Sequence, residues 1–369
     1  MKIAFAHMFI LRTPRGIERF IINVSNFLAR KGHEITIITG RCPDSPTRGW
    51  IDPRVRIHEI RHHNWHKASF IPGFMHDFLT HDYDIVNLAI ARAEGYAAGL
   101  AYKLKKFRFN IVFQYPLENH VKHFMAFKRF GTAKHADELI SASAYIAQGV
   151  SSCFGRPSKM VPNGVDPSLF RSDRVRRSDT RKKLGIPEDA PVLITVSALQ
   201  GRKGIEKVLD VVEYLKRSMP DIRYILCGDG NNRDREAFHA KVAALGIVPN
   251  VHFMGNQKDV SGFYNAADLF VFLPEFEGFG IVALEAMASG LPLIVSQGSA
   301  FPEILAEGGG VMVDPDAPAE IARTIHALLQ DRERRSLMGA AGRAVVEKKY
   351  SWDAVASQLE TIFRNQLSI

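Results

Sequence analysis

Cysteine is scarce in this chain. There are three in 369 residues, Cys42, Cys153 and Cys227, far apart and in no CxxC pair. That excludes a disulfide framework and a thiolate metal site, and it fits a reducing compartment. No apolar run approaches the roughly 20 residues that cross a bilayer. The opening "MKIAFAHMFI" is too short and wrongly flanked for a secretion signal and reads as a first strand. The chain is therefore expected to be soluble and cytoplasmic, peripheral to a membrane at most. No zinc finger, RNP-type aromatic motif or helix-turn-helix signature is present, which argues against a nucleic-acid partner. No GxGxxG follows a strand either. The lone "GDG" at 228–230 is a weak dinucleotide signal, better suited to a turn beside a ligand pocket. Internal repeats and low-complexity tracts are also missing.

What is present describes an ordinary globular protein, with 46% hydrophobic and 24% charged residues. At roughly 100 to 200 residues per domain, its length suggests two domains. The net charge of +9 is unevenly spread. Residues 1–170 hold 23 Lys and Arg against 13 Asp and Glu, whereas residues 171–369 hold 25 against 26. Eleven of the fourteen histidines also lie in the first segment. A basic first half points to an anionic partner, such as a lipid surface or a phosphorylated acceptor. A merely soluble basic surface is the other reading.

Short apolar runs alternate with longer amphipathic segments from end to end. The strand candidates of the first half are 2–6, 34–40, 55–60, 84–90, 111–116 and 138–144. Between the first two, "GIERFIINVSNFLARKGH" places Ile17, Phe20, Ile21, Val24, Phe27 and Leu28 at helical spacing, with Gly32 as a stop. Strand, helix and strand in that order make a parallel βαβ unit. A second series follows at 191–199, 223–230, 251–255, 269–274, 292–296 and 310–314. The turn-rich, charged stretch between the series reads as a linker. The expected fold class is α/β: two doubly wound, Rossmann-like domains facing a central cleft, where ligands bind at the switch point of strand order. The expected boundaries are 1–168 and 169–350. A last segment, 351–369, is amphipathic, with Trp352, Val355, Leu359, Ile362 and Phe363 on one side.

Residues 274–295, "PEFEGFGIVALEAMASGLPLIV", hold two glutamates in otherwise apolar or glycine-rich surroundings. The loop "EFEGFG" joins a buried strand to a helix, so Gly278 and Gly280 sit where the strand turns into the helix. Amides and the positive dipole end at a helix start bind phosphate, and glycines let a ligand approach the backbone. Glu285, a turn and a little more into the helix, can accept hydrogen bonds from ribose hydroxyls. Glu277, on the loop, is placed to hold something beyond the phosphate. The plain alternative makes Glu285 a helix acid with an internal partner and Glu277 a solvated loop acid. Spacing alone leaves both open.

That stretch strongly resembles the E-x7-E region of the GT4 family of retaining glycosyltransferases, which have the GT-B fold. The likeness extends through "NAADLFVFLP", "SAFPEIL", "GGGVMVDP", "VPNGVDPSLF" and "RKGIEKVLD", and more loosely through "GIERFIINVSNFLARKGHEITIIT". The resemblance implies that Glu285 holds the nucleotide ribose and Glu277 the sugar hydroxyls of a nucleotide-diphosphate donor. It puts the backbone of Phe279, Gly280 and Ile281 near the diphosphate and Lys203 as the cation that neutralises the leaving group without a metal; the turn at 228–230, with Gly228, suits a place beside that donor pocket. It also implies an N-terminal acceptor-binding domain, a C-terminal nucleotide-sugar-binding domain, and a last helix that returns to pack on the first.

The sequence departs from the family pattern in two places. "VSALQGRKG" has Ala198 where the family usually has an arginine, and Arg202 is the candidate substitute. "IVFQYPLENH" has Tyr115 or Pro116 where many members place a histidine facing the donor sugar, and His120 is the candidate there. After the first strand, "LRTPRGIER" reads as an anion- or acceptor-binding loop with Arg12, Arg15 and Gly16; a plain helix start is its alternative. Neither "DYD" (82–84), which begins a buried strand, nor "HHNWH" (62–66), which has no carboxylate or cysteine partner in its loop, reads as a metal site. No cofactor is expected. The implied activity is retaining glycosyl transfer from a UDP- or GDP-sugar to a hydroxyl, with a lipid-linked or cell-envelope glycan intermediate as acceptor. Alternatives are a soluble small-molecule acceptor, an NAD(P)-linked oxidoreductase, and a non-catalytic sugar-nucleotide-binding protein.

Overall fold

The computed structural model describes residues 1–12, 16–62, 67–89, 93–114 and 132–368. The chain divides into two compact units, one made of Met1–Gly164 with Trp352–Ile369, the other of Val165–Ser351. The first unit carries strands β1 (Lys2–Ala6), β2 (Glu34–Gly40), β3 (Arg56–Ile60), β4 (Ile85–Ala89), β5 (Phe109–Phe113), β6 (Glu138–Ser141) and β7 (Lys159–Met160). They form one parallel sheet in the order β3-β2-β1-β4-β5-β6-β7. Its helices include α1 (Gly16–Arg30), α2 (Ile71–Thr80) and α3 (Ala93–Leu104). Both faces of a parallel sheet are covered, so its central strands read as continuous apolar runs. All five positions of β4 are buried. On α1, Ile17, Phe20, Ile21, Val24 and Leu28 are buried against the sheet, the stripe that a 3.6-residue period predicts.

The second unit carries β8 (Val192–Val196), β9 (Arg223–Cys227), β10 (Val251–Gly255), β11 (Leu269–Phe272), β12 (Leu293–Ser296) and β13 (Gly310–Val313), again all parallel, in the order β10-β9-β8-β11-β12-β13. Two of its helices matter for the site, α4 (Ile205–Lys216) and α5 (Ile281–Ala288). Strand order reverses between β8 and β11 here, and between β1 and β4 in the first unit. Each reversal opens a crevice beyond the carboxyl ends of those two strands.

After the second unit the chain returns to the first as helix α6 (Trp352–Leu367). Val355, Ala356, Leu359, Ile362 and Phe363 are buried in one core with Ile3, Phe5, Phe20 and Ile21. A polar clasp adds to this. Asn110 on β5 and Gln366 exchange amide hydrogen bonds of 3.1 and 2.7 Å.

Several expected strands prove shorter, each for a local reason. The 138–144 run stops at Ser141, and Ser143 instead caps the next helix by accepting from the Ile146 N–H at 3.1 Å. The 191–199 run stops at Val196, and the Leu199 N–H leaves the ladder to bond the Asp229 carbonyl at 3.0 Å. The 111–116 strand lies at Phe109–Phe113 instead. Two elements were not foreseen. β7 has only two residues, both exposed. The charged linker contains a helix, Arg174–Leu184, capped by Asp173 and ended by Gly185 in the left-handed region.

Candidate active site

The crevice of the second unit is built by two loops, one after β8 and one after β11. Residues Gly201–Lys203 form a 3-10 turn, and Gly204 follows with φ +69°. A Cβ on Gly204 would lie 1.8 Å from the Leu273 carbonyl oxygen, so only glycine lets this turn seat against the end of β11. The seating delivers Lys203 to the second loop. Its Nζ lies 2.7 Å from Glu277 Oε2, with the two side chains 15% and 17% exposed. Lys203 Nζ also stands 5.6 Å from the Phe272 ring centroid.

Arg202 belongs to the same cluster. An extended segment would send neighbouring side chains apart, but a 3-10 turn does not. The Arg202 guanidinium carbon lies 5.2 Å from the Phe276 ring centroid, and its carbonyl accepts from the Glu275 N–H at 3.0 Å. Two cations therefore flank the 272–277 segment. Glu277 is further fixed through its backbone, whose N–H donates to Ser299 Oγ at 3.0 Å. Ser299 itself has φ +53°, a position a non-glycine residue takes only under local constraint.

At the start of α5, Gly280 has φ +88° and no side-chain cap is present. An uncapped helix start offers its amides to an anion. The Phe279 ring is buried edge-on against Tyr350 at 5.8 Å, so this residue can meet a ligand only through its backbone. Glu285 lies in the helix interior and accepts from the Tyr264 hydroxyl at 3.0 Å. That is an internal partner of the kind the plain reading allowed, and it also aims the carboxylate. Gly228, φ +135°, lines a cavity of about 380 Å³ with Val196, Ser197, Ala198, Asp229 and Gln257. A Cβ there would lie 1.8 Å from the Ser197 carbonyl oxygen. Ala198, in the family arginine's place, is part of the same wall.

In the first unit, Arg12 is exposed beyond β1 and Gly16 opens α1. Arg15 and His120 lie outside the described residues, as do His63 and His66 of the histidine-rich stretch. His62 is described, stacked on Phe70 at 4.6 Å. The two aspartates of "DYD" are engaged otherwise, Asp82 with Lys105 Nζ at 2.7 Å and Asp84 with the Lys2 N–H at 2.7 Å.

One cluster escaped the reading of the sequence. His7, one residue past β1 at the strand-order reversal, is buried between Glu18 and Glu94. Its Nε2 lies 3.2 Å from Glu18 Oε1 and its Nδ1 lies 3.0 Å from Glu94 Oε1. Burial alone would lower the imidazole pKa, but the hydrogen bonds to Glu18 and Glu94 outweigh it and raise it to about 9. His7 thus ties the first turns of α1 and α3 to the end of β1. The available signal was a strand-end histidine followed by two helices that each carry an acid in the first turn.

With this geometry in place, comparison with known proteins is specific. Residues 14–169 match the model of Glycosyltransferase Family 4, and residues 176–345 that of Glycosyl transferases group 1. The chain is 31% identical over 252 residues to a GDP-mannose-dependent monoacylated alpha-(1-6)-phosphatidylinositol monomannoside mannosyltransferase of Corynebacterium glutamicum, covering 65% of this chain and 64% of that protein. It is 32% identical over 219 residues to the D-inositol 3-phosphate glycosyltransferase of Corynebacterium aurimucosum, covering 57% of this chain and 52% of that protein. The alignments thus span between about half and two thirds of the length of these curated relatives.

Among solved structures, Anabaena HepE in complex with UDP and glucose superposes with a TM-score of 0.83 at 18% identity, over 98% of this chain and 99% of that one. Sucrose-phosphate synthase from Thermosynechococcus elongatus gives 0.83 at 20% identity, over 99% of each chain. At such identities the likeness is one of fold, two Rossmann-like units of the GT-B class.

Proposed function

Because the chain belongs to the family 4 and group 1 glycosyltransferases, we propose that it moves a sugar from a nucleotide-diphosphate donor to a hydroxyl acceptor, with retention and without a metal. The observation that carries this reading is the Lys203–Glu277 pair at the reversal of strand order, beside the glycine-opened start of α5. In this reading the second unit takes the donor. The 380 Å³ cavity walled by Gly228 and Ala198 takes the base, Glu285 the ribose hydroxyls, and the amides around Gly280 the diphosphate. Lys203 and Arg202 stabilise the negative charge that builds on the leaving phosphate. Glu277 then turns from Lys203 to the sugar hydroxyls.

The acceptor oxygen forms its bond to the anomeric carbon on the face from which the phosphate departs, and its proton passes to that phosphate. No carboxylate nucleophile is needed, unlike in retaining glycosidases. Positioning and fixed charge supply most of the rate. The first unit takes the acceptor at the segment that includes Arg12, Arg15 and Gly16, with His120 as a candidate to face the sugar. A GDP- or UDP-sugar is the donor class suggested by the names of the relatives and by the nucleotide of the superposed structure. A lipid-linked acceptor is favoured by the phosphatidylinositol substrate named for one relative and by the basic first half of the chain.

A thermal-shift series with GDP- and UDP-sugars, with NAD and NADP as controls, tests the donor class. A ligand at 100 times its dissociation constant adds roughly 2.7 kcal/mol of stability. One nucleotide sugar should raise Tm, Glu285→Ala should abolish that shift, and Glu277→Ala should abolish donor turnover. Stabilisation by NAD or NADP alone would overturn the reading.

A further inference from the structure

At the edge of the first unit's sheet, two residues at the end of a helix and one on the neighbouring strand bring metal-ligand atoms within 4.8 Å of one another. His58 stands on edge strand β3, Asp77 lies in the last turn of α2, and His81 follows that helix. His58 Nδ1 lies 2.9 Å from Asp77 Oδ2, and His81 Nδ1 lies 3.8 Å from Asp77 Oδ1. The two imidazole centroids are 4.8 Å apart. Tyr83 donates its hydroxyl proton to Asp77 Oδ1 at 2.8 Å.

Two imidazoles and one carboxylate suit a borderline divalent ion such as zinc, with water in the fourth position. Calcium and magnesium prefer all-oxygen sets. Bonds of roughly 2.0–2.2 Å to a tetrahedral ion separate its ligands by roughly 3.3–3.6 Å. The two separations from Asp77 bracket that span, so modest side-chain rotation closes the site. His81 has the freedom to do it, being 46% exposed, whereas Asp77 is 9% exposed and already oriented. Its orientation comes from Tyr83, and an outer hydrogen bond to a ligating carboxylate is a recurring part of metal sites. His81 Nδ1 also lies 3.2 Å from the Asp77 carbonyl and from the Thr80 hydroxyl, contacts that an ion would replace.

We propose that His58, Asp77 and His81 bind a divalent transition-metal ion of the zinc class, with Tyr83 holding the carboxylate. Such an ion would clip edge strand β3 to the end of α2. None of its residues is among those assigned to glycosyl transfer above, so the proposal stands or falls independently of that reading.

Cobalt is the probe, because a tetrahedral Co²⁺ site absorbs visibly. The chelator-treated full chain should show one saturable band on Co²⁺ titration, displaced by Zn²⁺. His81→Ala should remove it, and Tyr83→Phe should weaken binding by roughly tenfold or more. His62→Ala and His66→Ala should leave the band unchanged. His81 is on the surface, so its variant is expected to keep the wild-type circular dichroism and melting curve; it decides the matter even if His58→Ala does not fold. The absence of a saturable band, a band intact in His81→Ala, or a band lost in His62→Ala would each overturn the proposal.

Discussion

His7 shows how one residue can make an element boundary depend on pH. Its imidazolium is held by Glu18 and Glu94, with a folded pKa of about 9 against 6.5 for the free group. A raised folded pKa means that the stabilisation is fully present below pH 6.5 and is lost as pH rises through 9. In urea titrations, wild type should therefore exceed His7→Asn by the most near pH 6.5, and the gap should shrink steadily toward pH 9.5. A gap that stays flat across this window would mean that the folded imidazole is neutral. Lys203 and Glu277 support a second prediction at this scale. Each half-buried charge neutralises the other, so removing one leaves the other uncompensated. Lys203→Met and Glu277→Gln should each destabilise the unliganded chain. The double variant should recover part of the loss, with a coupling of roughly 0.5–3 kcal/mol. Strict additivity would show that the pair does not form in solution.

At the scale of elements, what was legible in the sequence follows from how each element is stabilised. Strands of a parallel sheet are apolar on both faces, so runs such as "DIVNLAI" and "LFVFLP" announce themselves, and the stripes on α1 and α6 do the same. The helix Arg174–Leu184 has almost no apolar residue. Its anchor is Arg181, fully buried and bonded to the carbonyls of Ala266, Pro187, Glu188 and Ala190 and to Asp268. Apolar periodicity cannot find a helix held by a guanidinium. Its cap Asp173 and stop Gly185 were the only local signals. The loop between β11 and α5 was legible because glycines and glutamates are conspicuous between a strand and a helix. The His7 cluster was not, because its three members are 11 and 76 residues apart along the chain and only the topology joins them. Helix α6 offers the test at this scale. Phe363 is fully buried in the core shared with α1, so Phe363→Ala should cost roughly 3–5 kcal/mol by urea titration. A cost below about 1 kcal/mol would mean that the helix is not docked there in solution.

For the whole molecule the decisive quantity is where the charge sits. The first 170 residues carry a net +10 and the remaining 199 a net −1, so attraction to an anionic surface should be a property of the first half. Within the first unit, the end of α3 and the segment after it combine exposed Lys103, Lys106 and Arg108 with Leu104, which is 72% exposed. Basic side chains near an anionic bilayer contribute about 1 kcal/mol each, and salt screens them within a Debye length of about 8 Å at physiological ionic strength. No helix among the described residues is long and apolar enough to cross a membrane. The full chain should therefore co-sediment with phosphatidylglycerol vesicles at low ionic strength and not with phosphatidylcholine vesicles, and molar salt should release it. Combining Lys103→Glu with Lys106→Glu should weaken that binding by roughly tenfold or more while leaving nucleotide-sugar stabilisation unchanged, because the groups proposed to hold the donor belong to the second unit. Binding that ignores salt, or equal affinity for both lipids, would separate the charge asymmetry from any membrane role and leave a soluble acceptor as the better account of the basic half.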